Sequence, residues 1–166
     1  MNLAKQLAPQ KAAIVKKWNK RVLACYPRET ARFLDSQKDP FQNPVGHNTL
    51  KSLQSLIDLI DDDPEPAALR KALDPIIRIR AIQDFTPSKA VGFIFELKDL
   101  IREAQSEIEL NTDQWQCLDR RIDEMAMAAF DVFMACREKI FDLKAGEIRE
   151  RTYKAFARAG LVKDPI

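Results

Sequence analysis

The chain has 166 residues, 46% apolar and 31% charged, with a net charge of only +2. A chain of that length buries roughly 70% of its unfolded surface without a disulfide or metal staple. No apolar run approaches the roughly 18–20 residues of a membrane span, and the amino end lacks the apolar middle of a secretory signal, so the composition reads as one soluble, cytoplasmic domain over residues 1–166.

Along the chain the apolar spacing is helical nearly throughout. Leu7, Ile14, Trp18, Val22 and Cys25 recur at three to four residues or multiples of that. They stop before Tyr26-Pro27, where the residue preceding proline disfavours helical dihedrals. Pro27 can open a short second helix through Glu29, Phe33 and Leu34. Residues 35–46 read as the clearest loop: Asp39-Pro40 and Asn43-Pro44 initiate turns and Gly46 allows a positive φ. Leu50, Leu53, Ile57 and Ile60 mark a third helix. It runs into Asp61-Asp62-Asp63, read as a linker whose following carboxylates favour the next helix's amino end.

Residues 74–85 are ambiguous. Ile77, Ile79 and Ala81 alternate with Arg78, Arg80 and Ile82 as in a half-buried strand. Against that, Asp74-Pro75 is a good cap and first position of a helix, and a lone strand would have no partner. The helical reading puts Arg78 and Arg80 on different faces. Thr86-Pro87-Ser88 starts a fifth helix striped by Ala90, Ile94, Leu97, Ile101, Ala104 and Ile108. Asn111-Thr112-Asp113 then caps a last segment with a near-heptad seam of Trp115, Leu118, Ile122, Met125, Ala129, Phe133, Cys136, Ile140 and Leu143. Gly146 either breaks that helix or costs it about 1 kcal/mol, and Gly160 suits a terminal cap. The fold class is therefore all-α: a single domain of five to seven helices with a long carboxy-terminal helix.

Residue counts limit the chemistry. One histidine, His47, rules out paired-His metal centres, and Cys25, Cys117 and Cys136 form no CxxC pair. Their odd number fits reduced thiols. Cys117 and Cys136 read as buried packing positions, with a redox-sensing thiol as the alternative. The four glycines stand alone, so neither a GxGxxG turn nor a P-loop can form. No acid–base or nucleophilic constellation, no metal site and no cofactor site can be assembled, and no enzyme is expected. Residues 1–32 carry eight basic groups against one acidic, 33–136 carry 11 against 19, and 137–158 carry seven against four. Such patches are either solvated helix faces or a means of self-association. No nucleic-acid partner is expected, since the basic arm lacks interleaved aromatics.

Several stretches are more specific. Trp18…Tyr26-Pro27-Arg28-Glu29-Thr30, then Asp39-Pro40-Phe41-Gln42-Asn43-Pro44-Val45-Gly46, then the run from Ile79-Arg80-Ala81 to Gly92-Phe93 occur in order. Together they are similar to the RsbRD amino-terminal domain family. Phe133-Met134-Ala135-Cys136-Arg137-Glu138-Lys139-Ile140 fits as well. The resemblance covers nearly the whole chain, and its most specific element is RxRAxQDFxPSxAV from Arg78. It implies an input domain of stressosome co-antagonist proteins, which regulate the kinase-like switch protein RsbT. Related input domains resemble helical, dimeric, haem-free globins whose last helix leads into a STAS output domain. This chain stops at Ile166 without a STAS domain, so the resemblance implies a stand-alone input domain or a fragment of a larger protein. It supplies no catalytic residues.

The candidate ligand- or partner-binding residues are His47, Arg78, Arg80, Gln83, Asp84, Phe41 and Asn43. His47 at a helix entrance is a haem or metal ligand in the sharper reading, and a cap or surface residue in the plainer one. Arg78, Arg80, Gln83 and Asp84 put polar groups inside an apolar pattern. They either line a polar pocket or form an internal salt bridge such as Arg80 to Glu96 or Asp99. Phe41 and Asn43 sit in the loop that is the best place for recognition outside the core. Trp18, Trp115, Phe93, Phe95, Phe130 and Phe133 read as mostly core. The expected function is a non-enzymatic signalling or sensor module in which a small-molecule ligand, redox state or regulatory protein partner biases helix packing. The long last helix reports the change within a homodimer. The alternative is a ligand-free protein-interaction scaffold.

Overall fold

The computed structural model describes residues 3–60, 64–106 and 108–161. The acidic linker at 61–63 lies outside them. The helices are α1 (Leu3–Leu7), α2 (Lys11–Leu23), α3 (Arg28–Ser36), α4 (Pro44–Asp58), α5 (Pro66–Ile82), α6 (Pro87–Val91), α7 (Glu96–Glu103) and α8 (Thr112–Arg158), with a 3-10 turn at Gly92–Ile94 between α6 and α7. Among the described residues there is no strand, and the all-α expectation with its long last helix holds. The segments are more numerous than the expected helices because the first breaks between Leu7 and Lys11 and the fifth is interrupted by the 3-10 turn.

Prolines set several helix starts. Pro44, Pro66 and Pro87 each occupy the first position of a helix, where a missing N–H costs no intrahelical bond. Pro75 is different. The sequence places it at a helix start behind an Asp74 cap, but α5 begins eight or nine residues earlier and carries Pro75 inside. Asp74 instead pairs with Arg78 one turn on, at 2.8 Å. A proline at the tenth of seventeen helical residues would ordinarily break the helix, but here packing of Leu73, Ile76 and Ile77, all buried, holds it across the lost bond.

The core lies where α5 packs against α4 and α8, and where α2 packs against α4 and α7. Trp18, Leu53, Leu73, Ile77, Leu97 and Phe133 are among its fully enclosed side chains. Trp18 is satisfied as well as buried: its indole N–H donates to the Phe93 carbonyl at 2.7 Å, as a buried indole requires. Phe93 is buried too, whereas Phe95 and Phe130 are exposed and Trp115 is only partly covered. Those positions fall at the edges of the buried stripe. Cys117 and Cys136 are likewise half-exposed rather than enclosed, and Cys25 is exposed.

α8 opens with a capping box. The Asn111 side chain accepts from the Gln114 N–H at 2.9 Å and the Gln114 side chain accepts from the Asn111 N–H at 2.9 Å. Its 47 residues span about 70 Å at 1.5 Å per residue. Gly146 does not break it, and Gly160 ends it at φ +69°. There the Leu161 N–H reaches the Phe156 carbonyl at 2.9 Å, closing a Schellman motif. From Leu118 to Phe133 one face of α8 is buried. Every residue from Phe141 through Leu161 is exposed, so Leu143 lies outside the seam that the sequence assigns to it. A Cβ at Gly146 would meet nothing within 4 Å. Gly146→Ala is therefore expected to stabilise α8 by about 0.5–1 kcal/mol, read as a higher helical circular-dichroism signal at temperatures where the far end frays; an unchanged or lower signal would show that the glycine serves another purpose.

Candidate functional site

The specific run from Arg78 to Val91 forms the end of α5, a tight turn and α6. Arg78 points outward and is tied to Asp74. That carboxylate pushes the Arg78 guanidinium pKa further up. Arg80, two residues later, is turned inward and only 3% exposed. The two arginines do lie on different faces, as helical geometry demands.

Arg80 has no carboxylate partner among the described residues. Asp99 pairs with Arg102 at 3.6 Å, and Glu96 has a buried Oε2 without a hydrogen-bond partner. The expected salt bridge is replaced by a cage of carbonyls and rings. One terminal nitrogen donates to the Lys89 carbonyl at 2.8 Å and to that of Ala90 at 3.4 Å. The other reaches the Val22 carbonyl at 3.4 Å and the Cys25 Sγ at 3.9 Å. The guanidinium carbon stands 4.6 Å from the Phe93 ring centre and 5.1 Å from that of Phe85, within cation–π range. Burial pulls the Arg80 pKa down and pushes the Glu96 carboxyl up. With both terminal nitrogens engaged, Arg80 cannot present its fork to a ligand carboxylate. It clamps the ends of α2, α5 and α6 together.

Asp84 follows the carboxy end of α5 with φ +57°. The Phe85 N–H returns to the Arg80 carbonyl at 3.2 Å, so Gln83-Asp84-Phe85 forms a Schellman-type cap with aspartate where glycine is usual. Aspartate there carries two costs: left-handed backbone, and a negative charge at the negative end of a helix. Arg137 of α8 offsets both. It donates to Asp84 Oδ1 at 2.7 Å and to the Ala81 carbonyl at 3.1 Å, and it holds the exposed Asp84 carboxyl below the usual carboxylate range. Its guanidinium also lies 5.2 Å from the Phe141 ring centre. Gln83 accepts the Tyr26 hydroxyl at 2.6 Å. Arg80, Gln83 and Asp84 thus meet in one cluster that joins α2, α5, α6 and α8. Arg137 sits between the last buried turn of α8 and its exposed half.

The other candidates lie elsewhere. Asn43 is buried and caps α4: its Oδ1 accepts the Gly46 N–H at 2.8 Å, and its Nδ2 donates to the carbonyls of Leu34 at 2.8 Å and Gln37 at 2.9 Å. Gly46 is helical rather than in the positive-φ region allowed for in the sequence reading. Phe41 is 96% exposed, in a turn held by the Asp39 carboxylate. His47 is exposed in the first turn of α4. Among the described residues no group of three or more His, Cys, Asp or Glu side chains is placed to hold a metal ion. Burial raises the Cys25 and Cys136 thiol pKa values, which works against a reactive thiolate.

Sequence reasoning missed Arg137, Tyr26 and Phe85 as members of this cluster. All three stand in stretches that carry the family resemblance, and that shared membership was the available signal. The description of that family, the RsbT co-antagonist protein rsbRD N-terminal domain, matches residues 12–147. An uncharacterized protein of Archaeoglobus fulgidus is 35% identical over 80 residues, 48% of this chain and 51% of the relative. The chain therefore spans about half the length of that curated relative. No solved structure matches, and no helix among the described residues is long and apolar enough to cross a membrane.

Proposed function

The chain belongs to the RsbT co-antagonist rsbRD N-terminal domain family, and from that premise we propose that it is a non-enzymatic signal-input module whose output is α8. The observation that carries this reading is the divided character of α8. Its first half is part of the core, and its second half leaves the body with exposed apolar residues still in register. Met127, Met134, Phe141 and Ile148 are 64%, 39%, 59% and 65% exposed and stand seven residues apart. From Phe141 the row continues through Ala145, Ile148, Thr152 and Ala155 at alternating four- and three-residue steps. That period closes a left-handed pair of helices.

A second copy of the chain is the proposed occupant of this row, since a two-fold axis brings the same row onto itself. The Asp84–Arg137 pair ties the input cluster to α8 at the point where it leaves the core. Movement of the Gln83–Phe85 turn would then be felt by the paired helices. A regulatory protein, in the family's terms an RsbT-like switch, would read that change in the cytoplasm.

Light scattering and native mass spectrometry of the purified chain test the pairing. A dimer is expected at tens of micromolar, and Phe141→Glu/Ile148→Glu is expected to convert it to a monomer with little change in the core's urea midpoint, because both side chains are mostly exposed and Phe141 meets the body at the Arg137 guanidinium rather than in the core. A monomeric wild-type chain at those concentrations would overturn the pairing. The ligand-free scaffold remains the second reading, favoured by Arg80: its terminal nitrogens bind backbone carbonyls and leave no polar pocket at the cluster.

A further inference from the structure

The face of the molecule formed by α4, α5 and α8 holds an open groove of about 960 Å³. Its walls are small or apolar: Leu59, Ala72, Pro75, Val132 and Ala135. Around them stand Lys51, Arg70, Lys71 and Lys139, none of which has a carboxylate partner among the described residues. The two carboxylates on the groove are already engaged, Asp58 by Lys11 and Asp74 by Arg78. Among the described residues the groove therefore presents four basic side chains without a carboxylate partner, over an apolar floor. Ser52 adds an independent observation. It lines the groove, is 2% exposed, and has a hydroxyl oxygen buried without a hydrogen-bond partner. A buried hydroxyl left unpaired is unfavourable, so one on the wall of a groove points to a partner that arrives from outside the chain.

We propose that this groove binds a small amphipathic anion, an apolar body bearing one carboxylate or phosphate. The Ser52 hydroxyl donates to the anionic head, the lysines and Arg70 draw it in, and the body lies on Ala72, Val132 and Ala135. On α8 the groove residues Val132, Ala135 and Lys139 flank the buried stripe on the side away from Met134, Phe141 and Ile148, by the 3.6-residue period. Binding is thus compatible with pairing along that row. The proposal supplies a ligand class for the input module but needs no dimer.

The test is a titration of the full-length, isotope-labelled chain with octanoate and octyl phosphate, kept below their micelle concentrations, with 1-octanol as the neutral control. Saturable amide shifts are expected at Ser52, Ala72 and Ala135, with octanol at least tenfold weaker. Whichever head group binds more tightly identifies the anion. Lys51→Glu/Lys139→Glu, both surface changes, is expected to weaken the anions at least tenfold at unchanged urea midpoint. Ser52→Ala is expected to lower affinity several-fold while raising the midpoint, a pair of opposite signs that a purely structural serine would not give. Equal binding of octanol, shifts elsewhere, or affinity indifferent to the charge reversal would overturn the proposal. So would protection of Lys51 and Lys139 from acylation in the wild-type chain that disappears in Phe141→Glu/Ile148→Glu, since a second copy would then be the occupant. Retained anion binding by that variant separates this claim from the pairing of α8.

Discussion

Arg80→Ala is expected to destabilise the fold by about 3 kcal/mol, read as a lower midpoint in urea unfolding. Truncation empties an enclosed site between Phe85 and Phe93, where loss of a large side chain costs about 2 kcal/mol or more. It also removes the donor that the Lys89 carbonyl accepts from at 2.8 Å, whereas the Val22 carbonyl keeps the Cys25 thiol at 3.0 Å. An acceptor left unpaired adds about 1–3 kcal/mol. Relief from holding a cation out of water works the other way, and we set it against the higher end of those figures. Arg80→Met isolates the hydrogen bonds, because methionine restores most of the volume and the ring contacts. Its expected loss is about half that of alanine. For a chain of this size, 3 kcal/mol corresponds to a fall in Tm of roughly 6–12 °C. An unchanged midpoint for Arg80→Ala would show that the cage contributes nothing. A full-sized loss for Arg80→Met would place all of the effect in the donors.

Gly46→Ala is the second large effect, and its sign is decided by two opposed magnitudes. Within a helix, alanine in place of glycine gains about 1 kcal/mol. Here the new Cβ would run into the Asn43 side-chain amide and the Leu34 backbone carbonyl, neither of which is a flexible chain end. Asn43 is held by three hydrogen bonds at 2.8–2.9 Å. Overpacking typically costs 1–3 kcal/mol, and displacing the cap costs about a further 1 kcal/mol. The net expectation is a loss of about 1–3 kcal/mol in urea unfolding. Gly146→Ala on open helix surface is expected to go the other way, so the pair of alanine substitutions distinguishes close packing from helix propensity. A Gly46→Ala chain as stable as the parent would mean that the junction of α3 and α4 yields without cost.

Some of this was legible in the residues themselves. Helix is a local outcome of apolar spacing, caps and prolines, and each acts over a few residues. Asn111 and Gln114 form their capping box, Gly160 ends α8, and Pro27 and Pro87 sit at helix starts, each through an effect confined to one turn. The opposite facing of Arg78 and Arg80 follows from the same 3.6-residue period. The family was also legible, since a run such as Arg78 to Val91 is a sequence property.

What the tertiary structure decided has longer reach. Asp74-Pro75 looks like a helix start to any local rule, yet burial of Leu73, Ile76 and Ile77 carries α5 through it, because core packing outweighs one lost backbone bond. The choice of carbonyls over Glu96 as partners of Arg80 depends on where α2 and α6 end in space, 58 and 10 residues away along the chain. The Asp84–Arg137 pair spans 53 residues, and no spacing rule connects such positions. Gly46 offered the same residue type for two different physical reasons. Only the approach of Asn43 and Leu34 shows that it is kept for its missing Cβ rather than for its backbone freedom. Local rules set which segments become helices and which side chains share a face; the ends of those helices, brought together by burial of a common core, set which polar groups meet.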